Sequence, residues 1–303
     1  MARLLSRAFL GAVAGAALGA VAARAAYSAF GRRPPIGDEK TWTRTNHRGE
    51  PITLLEGPAF VAGAGAAAAL APGLSLRQKA AAALAGLGGG ALGAYDDLYG
   101  TTSSKGFKGH LTALAKGEVT SGSVKILGIG ATGLAAAALV SRGPADTLVN
   151  GALIAGSANL ANLFDLRPGR AIKVGLLAGT PLLAASLAKA ARGDAGAASA
   201  AALTAIPLGA AVVLLPEDLG ERAMLGDAGA NALGALLGLA AAARLGRTGR
   251  WTALGTVVAL TAASEKVSFT KVIAGNRILN KIDMLGRRPA PAPLPSTAGA
   301  LTP

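Results

Sequence analysis

Residues 196 to 215 read GAASAAALTAIPLGAAVVLL, twenty consecutive positions without a charged side chain. A helix of that length crosses the roughly 30 Å of hydrocarbon in a bilayer. Its Ala and Gly content lets neighbouring helices approach closely. Similar stretches lie near residues 5–23, 58–74, 79–95, 123–140, 146–164, 171–190, 228–245 and 251–265. The pattern predicts an all-α polytopic membrane bundle of about nine transmembrane helices, within a range of about nine to eleven. Composition agrees, with hydrophobic residues at 51% and charged residues at 15%. An ordinary soluble domain carries about 25% charged residues. Continuous apolar runs exclude a transmembrane barrel, whose strands alternate over about ten residues. The first stretch has the basic flanks of a signal peptide at Arg3 and Arg7. Its length, and the lack of a polar domain after it, predict a retained helix instead. Residues 1–288 are expected to form one integral membrane domain, and the Pro- and Ala-rich residues 289–303 a disordered tail.

The net charge of +14 has to be located before it is interpreted. Nineteen of the 30 Lys and Arg fall on 31–57, 96–125, 165–173, 216–227 and the segment from 266 onward, and ten on the opposite side. The positive-inside rule then puts the N-terminus outside and the C-terminus in the cytoplasm. Membrane topology thus accounts for the basic charge, and no nucleic-acid partner is expected. Of the 16 Asp and Glu, only Asp146 and Asp194 fall on the outer side. Acids contribute little to topology. Either a cation-dependent site on the inner face or neutralisation of neighbouring bases explains this second bias. The absence of cysteine excludes disulfides, thiolate catalysis and Cys-ligated zinc. His47 and His110 are too few and too distant for a histidine site, so a metal here would be hard and oxygen-bound.

Three motifs carry candidate chemistry. The third stretch ends in Gly93-Ala94-Tyr95-Asp96-Asp97-Leu98-Tyr99-Gly100. Two adjacent carboxylates there oppose both each other and the negative end of the helix dipole, so a cation is expected nearby. The plainer reading is a solvated helix stop screened by Lys105 and Lys108. The fifth stretch ends in Asn159, Asn162 and Asp165, a polar stripe recurring every three residues. Polar groups at such depth face a cavity or a partner helix. The eighth opens with Leu225-Gly226-Asp227-Ala228-Gly229-Ala230-Asn231. Here Asp227 is either an ordinary N-cap or part of a phosphate site that Gly226 and Gly229 open to the helix N-terminus. In the predicted topology all three motifs meet the inner face, which suits magnesium-assisted chemistry on a phosphate.

Taken together, the motifs resemble the polyprenyl-phosphate sugar-1-phosphate transferases, which include the phospho-N-acetylmuramoyl-pentapeptide translocases and the N-acetylglucosamine-1-phosphate transferases. The resemblance runs over roughly residues 40 to 270. It is carried by Asp96-Asp97, SKGFKG at 104–109, NLANLFD at 159–165 and GDAGANALG at 226–234. It implies a glycosyltransferase family 4 activity in cell-wall biogenesis. Sugar-1-phosphate passes from a UDP-sugar to a polyprenyl (undecaprenyl or decaprenyl) phosphate at the cytoplasmic side of the plasma membrane, releasing UMP. By the same resemblance, Asp96 and Asp97 bind magnesium or deprotonate the lipid phosphate. Asp97, Asp165 and Asp227 hold Mg2+, or Mn2+ in its place. Lys105, Asn159, Asn162, Gly226 and Gly229 contact substrate. The resemblance also allows a homodimer.

The chain departs from the family at three places. The asparagine motif continues as Asp165-Leu166-Arg167-Pro168-Gly169, with Pro168 where a second Asp is usual. The segment Ser264 to Phe269 lacks the family's histidine. The loop Thr45 to Pro51 matches only loosely. An alternative is therefore a non-catalytic descendant that binds lipid phosphate or partner proteins. A transporter is disfavoured because the acids sit at helix ends rather than within spans. The segment from Lys266 to Arg288 mixes apolar residues with six bases. It reads equally as an amphipathic stretch on the anionic leaflet or as a polar connector.

Overall fold

In the computed structural model, residues 2–100, 109, 112, 115–117 and 120–289 are described. Although 58–74 runs past the helix end at Leu70 and 79–95 is divided by a π-turn between two helices, each predicted apolar stretch overlaps a helix. These helices are α1 (Ala2–Arg32), α3 (Glu56–Leu70), the pair α4 (Leu76–Ala83) and α5 (Gly89–Tyr99), α6 (Ser121–Val140) and α7 (Pro144–Phe164). They continue as α8 (Arg170–Ala191), α9 (Ala195–Leu219), α10 (Gly226–Arg244) and α11 (Arg247–Ser264). Among the described residues, four helices are long and apolar enough to cross a membrane: Leu5–Arg32, Gly122–Val140, Arg170–Ala191 and Ala195–Leu219.

Boundaries follow local chemistry. Ser75 and Thr120 close capping boxes at the starts of α4 and α6, Pro144 opens α7 at its first turn, and Asp194 caps α9. Between α4 and α5 the chain winds into a single π-turn at Leu84–Gly88. An extra residue there rotates everything after it, including Asp96 and Asp97, relative to an unbroken α-helix.

One feature lay outside the all-α expectation. The first polar loop folds into a short helix α2 (Glu39–Trp42) and an antiparallel hairpin, β1 (Thr43–Thr45) with β2 (Pro51–Thr53). Trp42, 1% exposed, pins this subdomain by packing with Leu54 and Leu55, and its indole donates to the Ile36 carbonyl at 2.8 Å.

The core forms around α10, buried along nearly its whole length and touching α3, α5, α7, α8 and α9. Small residues make that burial achievable. A Cβ on Gly93 would overlap the carbonyl oxygen of Asp227, and one on Gly57 would stand 2.9 Å from the Gly229 nitrogen. Both α5 and α3 therefore press their backbones directly against the start of α10.

Polar contacts gather at two ends of the bundle. At one end Asp146 pairs with Arg250 at 3.2 Å, and Gln78 donates to Ser199 at 2.9 Å. At the other lie the ends of α5, α7 and α9, the start of α10 and the hairpin, joined by the contacts described next.

Candidate active site at one end of the bundle

Asp97 is turned inward. Its Oδ1 accepts from the Asp227 backbone N–H at 3.0 Å and its Oδ2 from that of Ala228 at 2.9 Å. The carboxylate so placed caps α10, whose own N-cap residue, Leu225, offers no side-chain oxygen. Gly226 completes the fit, with φ +59 and an added Cβ 3.0 Å from Asp97 Oδ2. The plain N-cap reading of Asp227 therefore gives way: Asp97 does the capping from another helix, and Asp227 is free to face elsewhere. Arg44 of β1 donates to the Asp97 carbonyl and ties the hairpin to the same turn.

Asp227 faces Lys125, whose ammonium donates to Asp227 Oδ2 and, at 3.3 Å, to Asp96 Oδ2. All three side chains are only partly shielded, at 13% exposure for Lys125, 22% for Asp96 and 26% for Asp227. Lys125 thus supplies the cation that the paired carboxylates call for. Sequence reasoning had counted it only as a loop base, although a lone cation in the first turns of an apolar span is itself a functional signal. Lys105 and Lys108, assigned to screening and phosphate contact, lie outside the described residues, as do the other positions of 104–108.

The asparagine stripe diverges. Three residues turn a helix through about 300°, so each step from 159 to 162 to 165 rotates the side chain by about 60°. Asn159 lines a groove. The Asn162 carbonyl accepts from the Asp165 N–H at 3.0 Å, and Asp165, 7% exposed, points into the protein. Asp165 lies within electrostatic reach of Asp97, Asp218 and Asp227, and its Oδ2 is buried without a hydrogen-bond partner. Two further carboxylates, absent from the sequence reading, stand near it. Asp218 accepts from the Gly169 N–H at 2.8 Å through Oδ1, which holds the Pro168-Gly169 turn, while its Oδ2 is unpartnered. Glu56 is fully buried and both its oxygens are unpartnered. Their surroundings in sequence gave no motif to find them by. Gly229 packs against α3, 2.9 Å from the Gly57 Cα for an added Cβ.

The groove has a volume of about 640 Å³. Its walls are the apolar faces of α6, α7 and α11, with Ile126, Ile129, Val257 and Val258 among them. Its polar lining is Asp96, Lys125, Asn159, Thr261 and Glu265. The groove thus joins apolar walls to a polar edge that carries one cation and two carboxylates.

Asp165 presents a buried oxygen with no partner, within electrostatic reach of Asp227, and carboxylate oxygens are the donors a hard divalent ion takes. Among the described residues no group of three or more acidic or histidine side chains is placed to hold a metal. Magnesium does not require one, since it is commonly held by one or two carboxylates with substrate phosphates and water completing its shell. Compared with protein-family models and with curated sequences, the chain matches none.

Proposed function

We propose that the chain transfers a sugar-1-phosphate from a UDP-sugar to a polyprenyl phosphate, as an initiating step of cell-envelope glycan synthesis. The observation that carries this reading is the apolar groove that ends at Asp96, Lys125 and Asn159, beside Asp227. In the proposed reaction an oxygen of the lipid phosphate attacks the sugar-proximal phosphorus. The new P–O bond forms as the bond to the UMP oxygen breaks, and UMP leaves with the electron pair. Asp96 lies at the groove and is the carboxylate placed to receive a proton from the lipid phosphate. Lys125 meets that phosphate as a point charge. Asp97 positions α10, so that Asp227 and the Gly226 turn keep their place. Asp165 and Asp227 would hold the magnesium, which would neutralise charge developing on the phosphates. Asn159 and Asn162 would orient the nucleotide or a phosphate, and Lys105 would contact phosphate as a second point charge.

The proposal includes a multi-pass fold of about nine spans in the plasma membrane, with the site facing the cytoplasm. A second reading, lipid-phosphate binding without transfer, has one observation in its favour: both oxygens of Asp97 are already engaged by backbone N–H groups. UMP release by purified protein given undecaprenyl phosphate, magnesium and a panel of UDP-sugars separates the two. Release with one donor, falling at least about a hundredfold in Asp227→Asn and Lys125→Ala and abolished by chelator, is the expected result. Binding of the lipid phosphate without release from any donor would move the assignment to the second reading.

A further inference from the structure

After α11 the chain turns into two short helices, α12 (Phe269–Gly275) and α13 (Arg277–Met284). The sole buried residue of α13 is an aspartate. Asp283, 7% exposed, is held by Arg170 through a two-point contact, Nε to Oδ1 at 2.7 Å and Nη2 to Oδ2 at 3.0 Å. Arg287 donates to it at 2.9 Å, and Lys173 donates to its carbonyl at 2.6 Å. The same Arg170 reaches Thr270 at 2.9 Å, and Phe269 stacks on Phe164 with ring centroids 4.9 Å apart. The segment is therefore clamped to the site end of the bundle, next to the turn after Asp165.

Its apolar side faces the other way. Ile278 is 72% exposed, Ile282 39% and Leu285 71%. Ile278 and Ile282, four residues apart, share one face of the helix, and Leu285 follows at its C-cap. Arg277 and Lys281, also exposed, border that face. A soluble helix buries its apolar face and exposes its charges, so this inverted arrangement requires a cover outside the described chain. Charge selects the cover. Asp283 is the sole acid between residues 267 and 288, and it is turned into the protein. A second copy docked symmetrically on this face would set its basic border against the same basic border, with no acid to offset it. An anionic headgroup layer offers both the apolar depth and the opposite charge.

We propose that α13 lies on the anionic headgroup surface of the leaflet at the site end, with Ile278, Ile282 and Leu285 in the interface and Arg277 and Lys281 against lipid phosphates. Eight residues alone bind a bilayer weakly, but the membrane-embedded bundle holds this helix at the surface, which makes its contact effectively intramolecular. The inference rests on the membrane reading of the chain and not on the transferase reading, and its test uses no catalysis.

The chain has no cysteine, so single probes can be placed cleanly. Full-length Ile278→Cys and Asn280→Cys proteins, each carrying bimane, are compared in nanodiscs of phosphatidylcholine with and without phosphatidylglycerol. The readouts are acrylamide quenching from water and quenching by spin-labelled lipid. Expected is a fall of about fivefold in acrylamide quenching at Ile278 when the anionic lipid is present. Lipid quenching should rise in parallel, with Asn280 unchanged. Arg277→Gln with Lys281→Gln should remove the effect, as should high salt. Equal aqueous quenching at both positions in both discs overturns the proposal in favour of a solvated connector. Protection of Ile278 that persists in detergent and disappears on dilution overturns it in favour of contact between copies.

Discussion

At the residue scale, the site is organised by who neutralises whom. Lys125 stands between Asp96 and Asp227, so removing it leaves two carboxylates facing each other in a partly shielded pocket. Lys125→Met should lower the unfolding free energy by about 2 kcal/mol, less than the 3 to 5 of a fully buried pair because all three groups keep some water. Adding Asp227→Asn should restore part of that loss, and a double-mutant cycle on thermal unfolding in detergent measures the coupling. No recovery in the double variant would show that Lys125 acts on Asp96 alone. Asp97 plays a different part: its carboxylate takes two backbone N–H groups at the start of α10. Asp97→Ala should cost about 2 kcal/mol as a lost cap. Sequence reading singled out Asp96, Asp97, Asp165 and Asp227 because acids at the ends of apolar helices are conspicuous. It could not separate the capping aspartate from the one facing Lys125, since that depends on side-chain direction across three helices.

At the scale of elements, close backbone contact and one clamp decide how parts sit together. Gly93 and Gly57 let α5 and α3 reach the first turn of α10. Gly93→Val should push Asp97 away from the α10 backbone it caps and lower the thermal midpoint, while Gly130→Val, where open space surrounds the residue, should leave it unchanged. Equal midpoints in the two variants would count against the contact. The clamp on α13 carries its own pH dependence. Burial pushes the Asp283 carboxyl up, but the hydrogen bond and charge of Arg170, with the charges of Arg287 and Lys173, outweigh it and hold the group below its ordinary 3.8. A carboxyl depressed by its partners stabilises the folded arrangement above its unfolded value and loses that contribution as pH falls through the lower folded one. Protease protection of residues 269–285 should therefore hold at pH 5 and weaken below 3.8. Asp283→Asn should show the weakened state across the range. The helical class was legible because the apolar runs are long and continuous, and four of the helices are long and apolar enough to cross a membrane. The π-turn at Leu84–Gly88 was not, since the apolar run through it carries no polar break.

At the scale of the whole molecule, the polar networks sort to two ends, and the proposed orientation assigns one to each side of the membrane. Lys40 and Arg192 are both exposed. Lys40 belongs to the hairpin end and Arg192 lies on the opposite side of the predicted topology. A cysteine in place of Lys40 should react with an impermeant maleimide only in opened cells, and one in place of Arg192 in intact cells. The reverse pattern would invert the bundle and put the site outside.

The sequence by itself determined the helical class: long runs of Ala, Leu, Val and Gly form helices, four of them long and apolar enough to cross a membrane. It also marked the acids at one end, because charged groups are expelled from apolar spans. The tertiary structure alone decided that Asp97 caps a helix far along the chain, that Lys125 meets Asp96 and Asp227, and that Glu56 and Asp218 join Asp165 in the interior. It also turned the apolar face of α13 outward. Those outcomes depend on which faces meet when helices pack, a property of distances between elements that no local pattern encodes.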